Sequence, residues 1–293
     1  MGIKQNIETF IKNPDIQKKY LKWNATRLFK GHPPSIELPM GRQLFPADRF
    51  NDYQAITVQH PDMSEFNLVN SLLPASSTGI FVDVGANVGA MSLLVHSTGK
   101  TEHIIAFEPS HRYCSAWHYN MSKNLVDNAT LIQTAVGDFN GEINFRVDPA
   151  MPLNNKIDKG KVHFTSQVQK VRIVTLDSIF ESLNLPVIHL LKLDVEGAEP
   201  LVIRGAKNLL KQEKIHNILF EFIVEFIEDM DESAYDLIDA LNNCDFDFYQ
   251  INLNGSLTKI VDYKSIVDTR RVEPDHPERP FHQINLVAKL NKQ

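Results

Sequence analysis

The chain has 293 residues, enough for one large α/β domain with additions, and its 43% hydrophobic content supplies a core and excludes a disordered protein. Thirty Lys and Arg against 36 Asp and Glu give a formal charge of −6 with no long basic run, so the footprint of a dedicated nucleic-acid binder is missing. No apolar run of 18 residues and no leader-like apolar block occurs, and Cys114 and Cys244 show neither CxxC nor metal-ligand spacing. These features predict a cytoplasmic protein with two buried thiols and no membrane partner.

From about residue 3 to 28 the apolar positions Ile7, Phe10, Ile11, Ile16 and Leu21 recur at near-helical spacing, and Pro14 divides them into two predicted helices. Residues 31–56 hold four prolines and short apolar runs and read as a loop with strand pieces. In "MSEFNLVNSLL" a helix is expected with Phe66, Val69, Leu72 and Leu73 on one face, Ser64 as its N-cap and Pro74 at its end.

A regular alternation follows: strand 80–84, helix 87–97, strand 103–107, helix 111–123, strand 130–136. "GEINFRV" and "VQKVRIVTL" alternate apolar and polar residues around a polar Asn-Asn-Lys loop and predict a hairpin. "HLLKLDV" and "NILFEF" are expected as buried strands with the helix "EPLVIRGAKNLLKQ" between them, followed by the helix "SAYDLIDALNNC". "FDFYQINL" and "HQINLVAKL" close the chain as a strand pair. The pattern predicts an α/β fold, doubly wound, with a mostly parallel seven-stranded sheet and an antiparallel C-terminal hairpin at its edge. Residues 1–74 would form a helical and loop extension contributing to an acceptor pocket, and 75–293 the main domain.

Ligands of open α/β sheets bind at the carboxyl ends of strands, and those ends are polar here. The first strong strand finishes at Asp83 and runs into Gly85-Ala86-Asn87-Val88-Gly89, which lacks the central glycine of GxGxxG. A pyrophosphate is therefore disfavoured, and Asp83 would repel one while pairing well with an ammonium or sulfonium. Glu108 ends the next strand, 19 residues after Gly89, a spacing that suits a carboxylate accepting from ribose hydroxyls. A nucleoside with a cationic, amino-acid-like tail meets these conditions, and S-adenosylmethionine is such a ligand.

Lys192, Asp194 and Glu196 alternate along one strand and share a face, and Glu221 lies within an apolar strand where a carboxylate needs a partner such as Lys192, a substrate donor or a metal. The bland reading is a salt-bridged structural cluster; the sharper one is an acceptor site. His96, His103, His111, His118 and His163 are scattered and none forms HExxH. A divalent metal between Asp194 and Glu221 suits their chemistry, but no ligand spacing supports it and no metal site is assigned. Arg270, Arg271, His276, Arg279 and His282 gather before the last strand, either as a solvated loop or as a lid for an anionic acceptor group.

The blocks "FVDVGANVG", "AFEPS", "TAVGDFNGEINF", "VTLDSI", "LLKLDVEGAEPLVIRGA" and "ILFEF", in this order between about Gly79 and Phe222, resemble the FkbM-type family of class I S-adenosylmethionine-dependent methyltransferases. The resemblance implies that Gly85, Ala86 and Asn87 cradle the methionine moiety with Asp83 near its amino group. It implies too that Glu108 holds the ribose, Pro109 packs near the adenine, and Ala135, Val136 and Asp138 line the adenine end. Asp194 would face the transferring methyl group, with Glu221 and Lys192 completing the catalytic set. The expected activity is O-methylation of a hydroxyl or carboxylate on a sugar, polyketide or peptide-derived small molecule. A nucleotide-dependent oxidoreductase and a non-catalytic cofactor-binding scaffold are the competing readings. Neither the acceptor nor the oligomeric state is legible.

Overall fold

A computed structural model describes residues 34–47, 61–147, 155–160, 167–272 and 283–291, together with the isolated positions 18 and 22. The two helices predicted before residue 30 and the segment holding His276, Arg279 and His282 lie outside the described residues, as do the side chains of Arg270 and Arg271.

The chain begins with β1 (Ile36–Glu37) and β2 (Gln43–Leu44), an antiparallel pair around a short 3-10 turn at Pro39–Gly41. Next come α1 (Met63–Leu72), β3 (Gly79–Val84), α2 (Ala90–His96), β4 (Thr101–Phe107), α3 (His111–Lys123), β5 (Ala129–Ile132) and β6 (Ala135–Val136). The middle section comprises β7 (Gly141–Val147), β8 (Lys156–Ile157), β9 (Gln167–Val174), α4 (Leu176–Leu183), β10 (Leu190–Leu193), α5 (Glu199–Arg204) and α6 (Lys207–Lys211). The chain then runs through β11 (Asn217–Ile223), α7 (Val224–Asp229), α8 (Ala234–Asn242), β12 (Phe246–Ile251), β13 (Leu257–Lys259), α9 (Ser265–Val272) and β14 (Gln283–Leu290).

The main sheet has the order β13-β12-β14-β11-β10-β3-β4-β5. Its pairings from β11 to β5 are parallel, and those joining β14, β12 and β13 are antiparallel. The expected doubly wound α/β fold is present, with one strand more than the predicted seven. The C-terminal pair is not an edge hairpin: β14 inserts between β11 and β12, and the added strand β13 forms that edge. The parallel strands read as continuous apolar runs because both faces are covered. On β3, Ile80, Val82 and Val84 join the core under α5, α6 and α8, while Phe81 packs with Leu68, Val69 and Leu72 of α1 and with Leu94 of α2.

Local chemistry set several boundaries. Asp62, not Ser64, is the N-cap of α1: its Oδ1 accepts from the backbone N–H of Ser64 and Glu65, and Glu65 reaches back to Asp62 N in a capping box. The strand predicted over 130–136 breaks after Ile132, because β6 leaves the main sheet to pair with β9 in a four-stranded sheet, β6-β9-β7-β8. The expected hairpin is the β7–β9 ladder of that second sheet. Helix α2 starts at Ala90, since Gly89 is left-handed at its N-cap and the preceding residues form the turn.

The β1–β2 pair is fastened to α3 by two asparagines one helical turn apart. Buried Asn120 donates to the carbonyls of Phe45 and Val88, each at 2.8 Å, and accepts from Phe45 N, while Asn124 exchanges two bonds with the backbone of Gln43. Their amides serve as a substitute strand edge for the N-terminal segment. Both cysteines are free; Cys114 is buried as expected, while Cys244 is partly exposed. No helix among the described residues is long and apolar enough to cross a membrane.

Candidate active site

A cavity of about 650 Å³ opens at the carboxyl ends of β3, β4, β10 and β11, on the face that α1 covers. Its first wall is the turn after β3, where Gly85, Ala86 and Asn87 line the space. Gly85 has φ +79°, and a β-carbon there would stand 1.9 Å from the carbonyl oxygen of Asp194, so glycine alone lets the two loops meet. Asn87 adopts φ +49°, and its Oδ1 is buried with no hydrogen-bond partner among the described residues.

Glu108, only 5% exposed, ends β4 beside this turn. Its Oε2 accepts from Asn87 N at 3.0 Å and its Oε1 from Ser110 N at 2.9 Å, fixing the carboxylate at the cavity wall. Burial pushes its carboxyl up to about 7, against the pull of those two N–H donors. Pro109 and Tyr113 continue the wall, and Ala135 and Val136 close it from β6. Strand β6 stands there because it left the main sheet to pair with β9.

The side of the Gly85 turn away from Glu108 is charged. Lys192 Nζ lies 2.9 Å from Asp194 Oδ2, 3.6 Å from Asp83 Oδ1 and 3.1 Å from the Gly85 carbonyl. Burial by itself would lower this ammonium's pKa, but Asp194 and then Asp83 outweigh it and hold the group well above the usual lysine range. Lys192 is therefore a permanent cation tying the two loops together, not a proton acceptor. Asp83 is fully buried, accepts from Ser92 Oγ at 2.6 Å and does not line the cavity. Its carboxyl is raised by burial despite Lys192 and Ser92.

The loop after β10 reads Asp194-Val195-Glu196-Gly197-Ala198-Glu199, and each residue has a task. Glu199, 2% exposed, accepts from Val195 N at 3.1 Å; burial raises its carboxyl to about 7 although backbone N–H groups hold it. A β-carbon on Gly197, φ +97°, would lie 2.2 Å from the Phe226 carbonyl, so the loop packs on α7. Glu196 is left-handed, φ +56°, and lines the cavity. Asp194, Glu196 and Glu221 bring carboxylate oxygens within 4.8 Å of one another, and the cation beside them is Lys192. The strand face expected for Lys192, Asp194 and Glu196 is not formed, because β10 ends at Leu193 and the left-handed turn at Glu196 breaks the alternation; the three line the cavity from a strand and its following loop, with Glu221 joining from β11.

Asp138 does not join the site. Its carboxylate binds Arg204 at 3.0 Å, Arg204 also pairs with Glu232, and Asp138 is not among the cavity-lining residues. The second sheet contributes Phe145, Asn155 and Ile157 instead, and α1 and the C-terminal strands contribute Glu65, Gln250 and Asn285. Sequence reading missed these because no motif marks them; only the capping box at Asp62 and Glu65 was detectable. Among the described histidines, His96 bonds Asn128 and His103 bonds Thr130, away from the cavity.

The family model described as "Methyltransferase FkbM domain" matches residues 83–248, more than half of the chain. The chain belongs to the FkbM methyltransferase family. This FkbM-family chain is also 29% identical over 149 residues to "Methyltransferase 1" of Beauveria bassiana (strain ARSEF 2860), a match spanning 45% of this chain and 60% of that relative. Among solved structures, it resembles a methyltransferase FkbM from Methylobacillus flagellatus KT at 14% identity and TM-score 0.46, covering 80% of this chain and 50% of the other. A putative methyltransferase from Streptococcus mutans in complex with SAH is 10% identical with TM-score 0.42, covering 77% and 96% respectively. At these scores it is the strand order described above that defines the fold.

Proposed function

We propose that this FkbM-family chain is an S-adenosylmethionine-dependent O-methyltransferase acting on a hydroxyl or carboxylate of a sugar, polyketide or peptide-derived small molecule. The observation that carries this reading is one cavity with two chemically distinct ends. One end offers the Glu108 carboxylate; the other offers Asp194, Glu196 and Glu221, with the Gly85–Asn87 turn against Asp194 joining the two.

When bound, S-adenosylmethionine supplies a methyl group already activated on a sulfonium. The residues that would hold it are Gly85, Ala86 and Asn87 at the methionine moiety, Glu108 at the ribose, and Pro109, Ala135 and Val136 at the adenine. Glu108 keeps free lone pairs for ribose hydroxyls beyond its two backbone donors. Asp83 contributes through Lys192, at a distance from the ligand. What remains for the protein is orientation of the acceptor oxygen and removal of its proton, the first worth an effective molarity of about 10⁵ to 10⁸ M in favourable cases. We assign acceptor contacts to Glu65, Leu68 and Val69 of α1 and to Gln250 and Asn285. No nucleic acid or membrane is invoked as partner, and the chain is placed in the cytoplasm.

Calorimetry with S-adenosylmethionine and, separately, NAD tests the donor half. Saturable binding of the first alone supports the reading; saturable NAD binding alone replaces it with the oxidoreductase alternative. Transfer of labelled methyl to a small molecule distinguishes an enzyme from a cofactor-binding scaffold.

A further inference from the structure

The acids around the charged end of the cavity are not equivalent. Asp194 is engaged by Lys192 at 2.9 Å, and Glu199 is consumed by the backbone of its own loop. Glu221 sits opposite Asn285 in the β11–β14 register. Glu196 lines the cavity and makes no hydrogen bond or ion pair with any described residue. It is also held in a left-handed backbone conformation, φ +56°. Two constraints impose it here: Glu199 bonding Val195 N on one side, and Gly197 pressed on the Phe226 carbonyl on the other.

We propose that Glu196 is the catalytic base, its carboxylate receiving the proton of an acceptor hydroxyl as the methyl group is transferred. This rests on the methyltransferase reading and selects a neutral hydroxyl over a carboxylate as the reacting group. The balance is complete: the hydroxyl oxygen forms the new carbon–oxygen bond, and the carbon–sulfur bond breaks with its electron pair kept by sulfur. The sulfonium charge is lost, and the hydroxyl proton passes to Glu196. An anionic acceptor would bring a further negative oxygen to a place where three carboxylates already lie within 4.8 Å of one another.

The electrostatic setting suits a base. Burial raises the Glu196 carboxyl well above the usual range, and Asp194 at the end of β10, Glu221 on β11 and Glu199 on α5 raise it further. Lys156 on β8 opposes them, with its ammonium over the Phe226 ring at 4.8 Å. A carboxylate with greater proton affinity is a stronger base, whereas Asp194 is engaged by the Lys192 ammonium at 2.9 Å.

The test uses the full chain loaded with methyl-labelled S-adenosylmethionine and a mixture of neutral sugars, macrolactone polyols, hydroxyl-bearing peptides and carboxylic acids. The expected product carries an ether whose label survives alkali; label released by alkali as methanol marks a methyl ester and overturns the proposal. Glu196→Gln should lower transfer by about 10²- to 10⁴-fold with the dissociation constant for S-adenosylhomocysteine unchanged, and Glu196→Asp should recover part of the rate. Full turnover in Glu196→Gln overturns the assignment. A measurement free of any acceptor is ¹³C-carboxyl NMR of the S-adenosylhomocysteine complex: the resonance that Glu196→Gln removes should titrate above the usual carboxylate range. Titration within that range, with the ligand bound, overturns the proposal alone. Failure of S-adenosylhomocysteine to bind overturns the methyltransferase reading with it.

Discussion

Gly85 and Asp194 touch through their backbones: a β-carbon on the first would stand 1.9 Å from the carbonyl oxygen of the second. Two motifs 109 residues apart in sequence thus form one surface, and Lys192 cements it by donating to the Gly85 carbonyl and pairing with Asp194. Gly85→Ala should therefore fail twice, by the positive φ and by the clash with backbone that has no rotamer to move. The expected cost is about 3 kcal/mol or more, with loss of S-adenosylhomocysteine binding. Gly99→Ala is the matched control, since its φ is +67° but its β-carbon would meet open space; about 1 kcal/mol is expected. Denaturant unfolding and calorimetry on both variants check the contrast.

Glu108 should show opposite pH dependences in stability and in binding. Its folded pKa of about 7, like that of Glu199, lies above the unfolded value, so the native state holds more protons than the unfolded one across that interval. The contribution of both groups to stability is greatest below the unfolded pKa and is lost as pH rises through about 7. Cofactor affinity should instead rise across pH 7, because the ionised carboxylate is the better acceptor for ribose hydroxyls. Glu108→Gln should flatten the binding curve and remove its share of the stability slope, leaving that of Glu199, and Glu108→Ala should weaken binding; pH-dependent melting and calorimetry read the two effects.

Removing the Lys192 charge should be costly because Asp83 is fully buried and Asp194 is partly so. Lys192→Met is expected to lose about 3 to 5 kcal/mol, measured by urea unfolding. Adding Asp83→Asn should recover part of that loss, since it removes one of the charges left unpaired.

Asp138→Ala should leave the dissociation constant for S-adenosylhomocysteine unchanged, because its carboxylate serves Arg204 and not the cavity. The stability cost should stay within about 1 kcal/mol for so exposed a pair, its two side chains being 46% and 31% accessible. A clear loss of affinity in calorimetry would return Asp138 to the cofactor site.

Asn120→Ala should detach the N-terminal strand pair. The buried amide holds Phe45 and Val88 through three hydrogen bonds, and truncating it leaves those backbone groups without partners. A loss of about 1 to 3 kcal/mol is expected, with hydrogen exchange accelerated at Phe45.

Sequence alone determined the alternation of strands and helices, because burial on both faces leaves apolar runs such as Ile80–Val82 and Ile218–Phe220 that period and punctuation reveal. It determined the turn after β3 and the acidic loop after β10, since glycines needed at positive φ and charges at strand ends are local features. It failed where a residue's partner is distant. Asp138 belongs to the same motif as Ala135 and Val136, yet Arg204, itself held by Glu232, pairs with its side chain away from the cavity. The insertion of β14 between β11 and β12 depends on hydrogen bonds across the sheet that no local pattern encodes. Most of all, tertiary structure separated Glu196 from its neighbours. Four carboxylates at Asp194, Glu196, Glu199 and Glu221 look alike in sequence, and only the tertiary structure places Asp194 beside Lys192, Glu199 on the loop backbone and Glu196 at the open cavity.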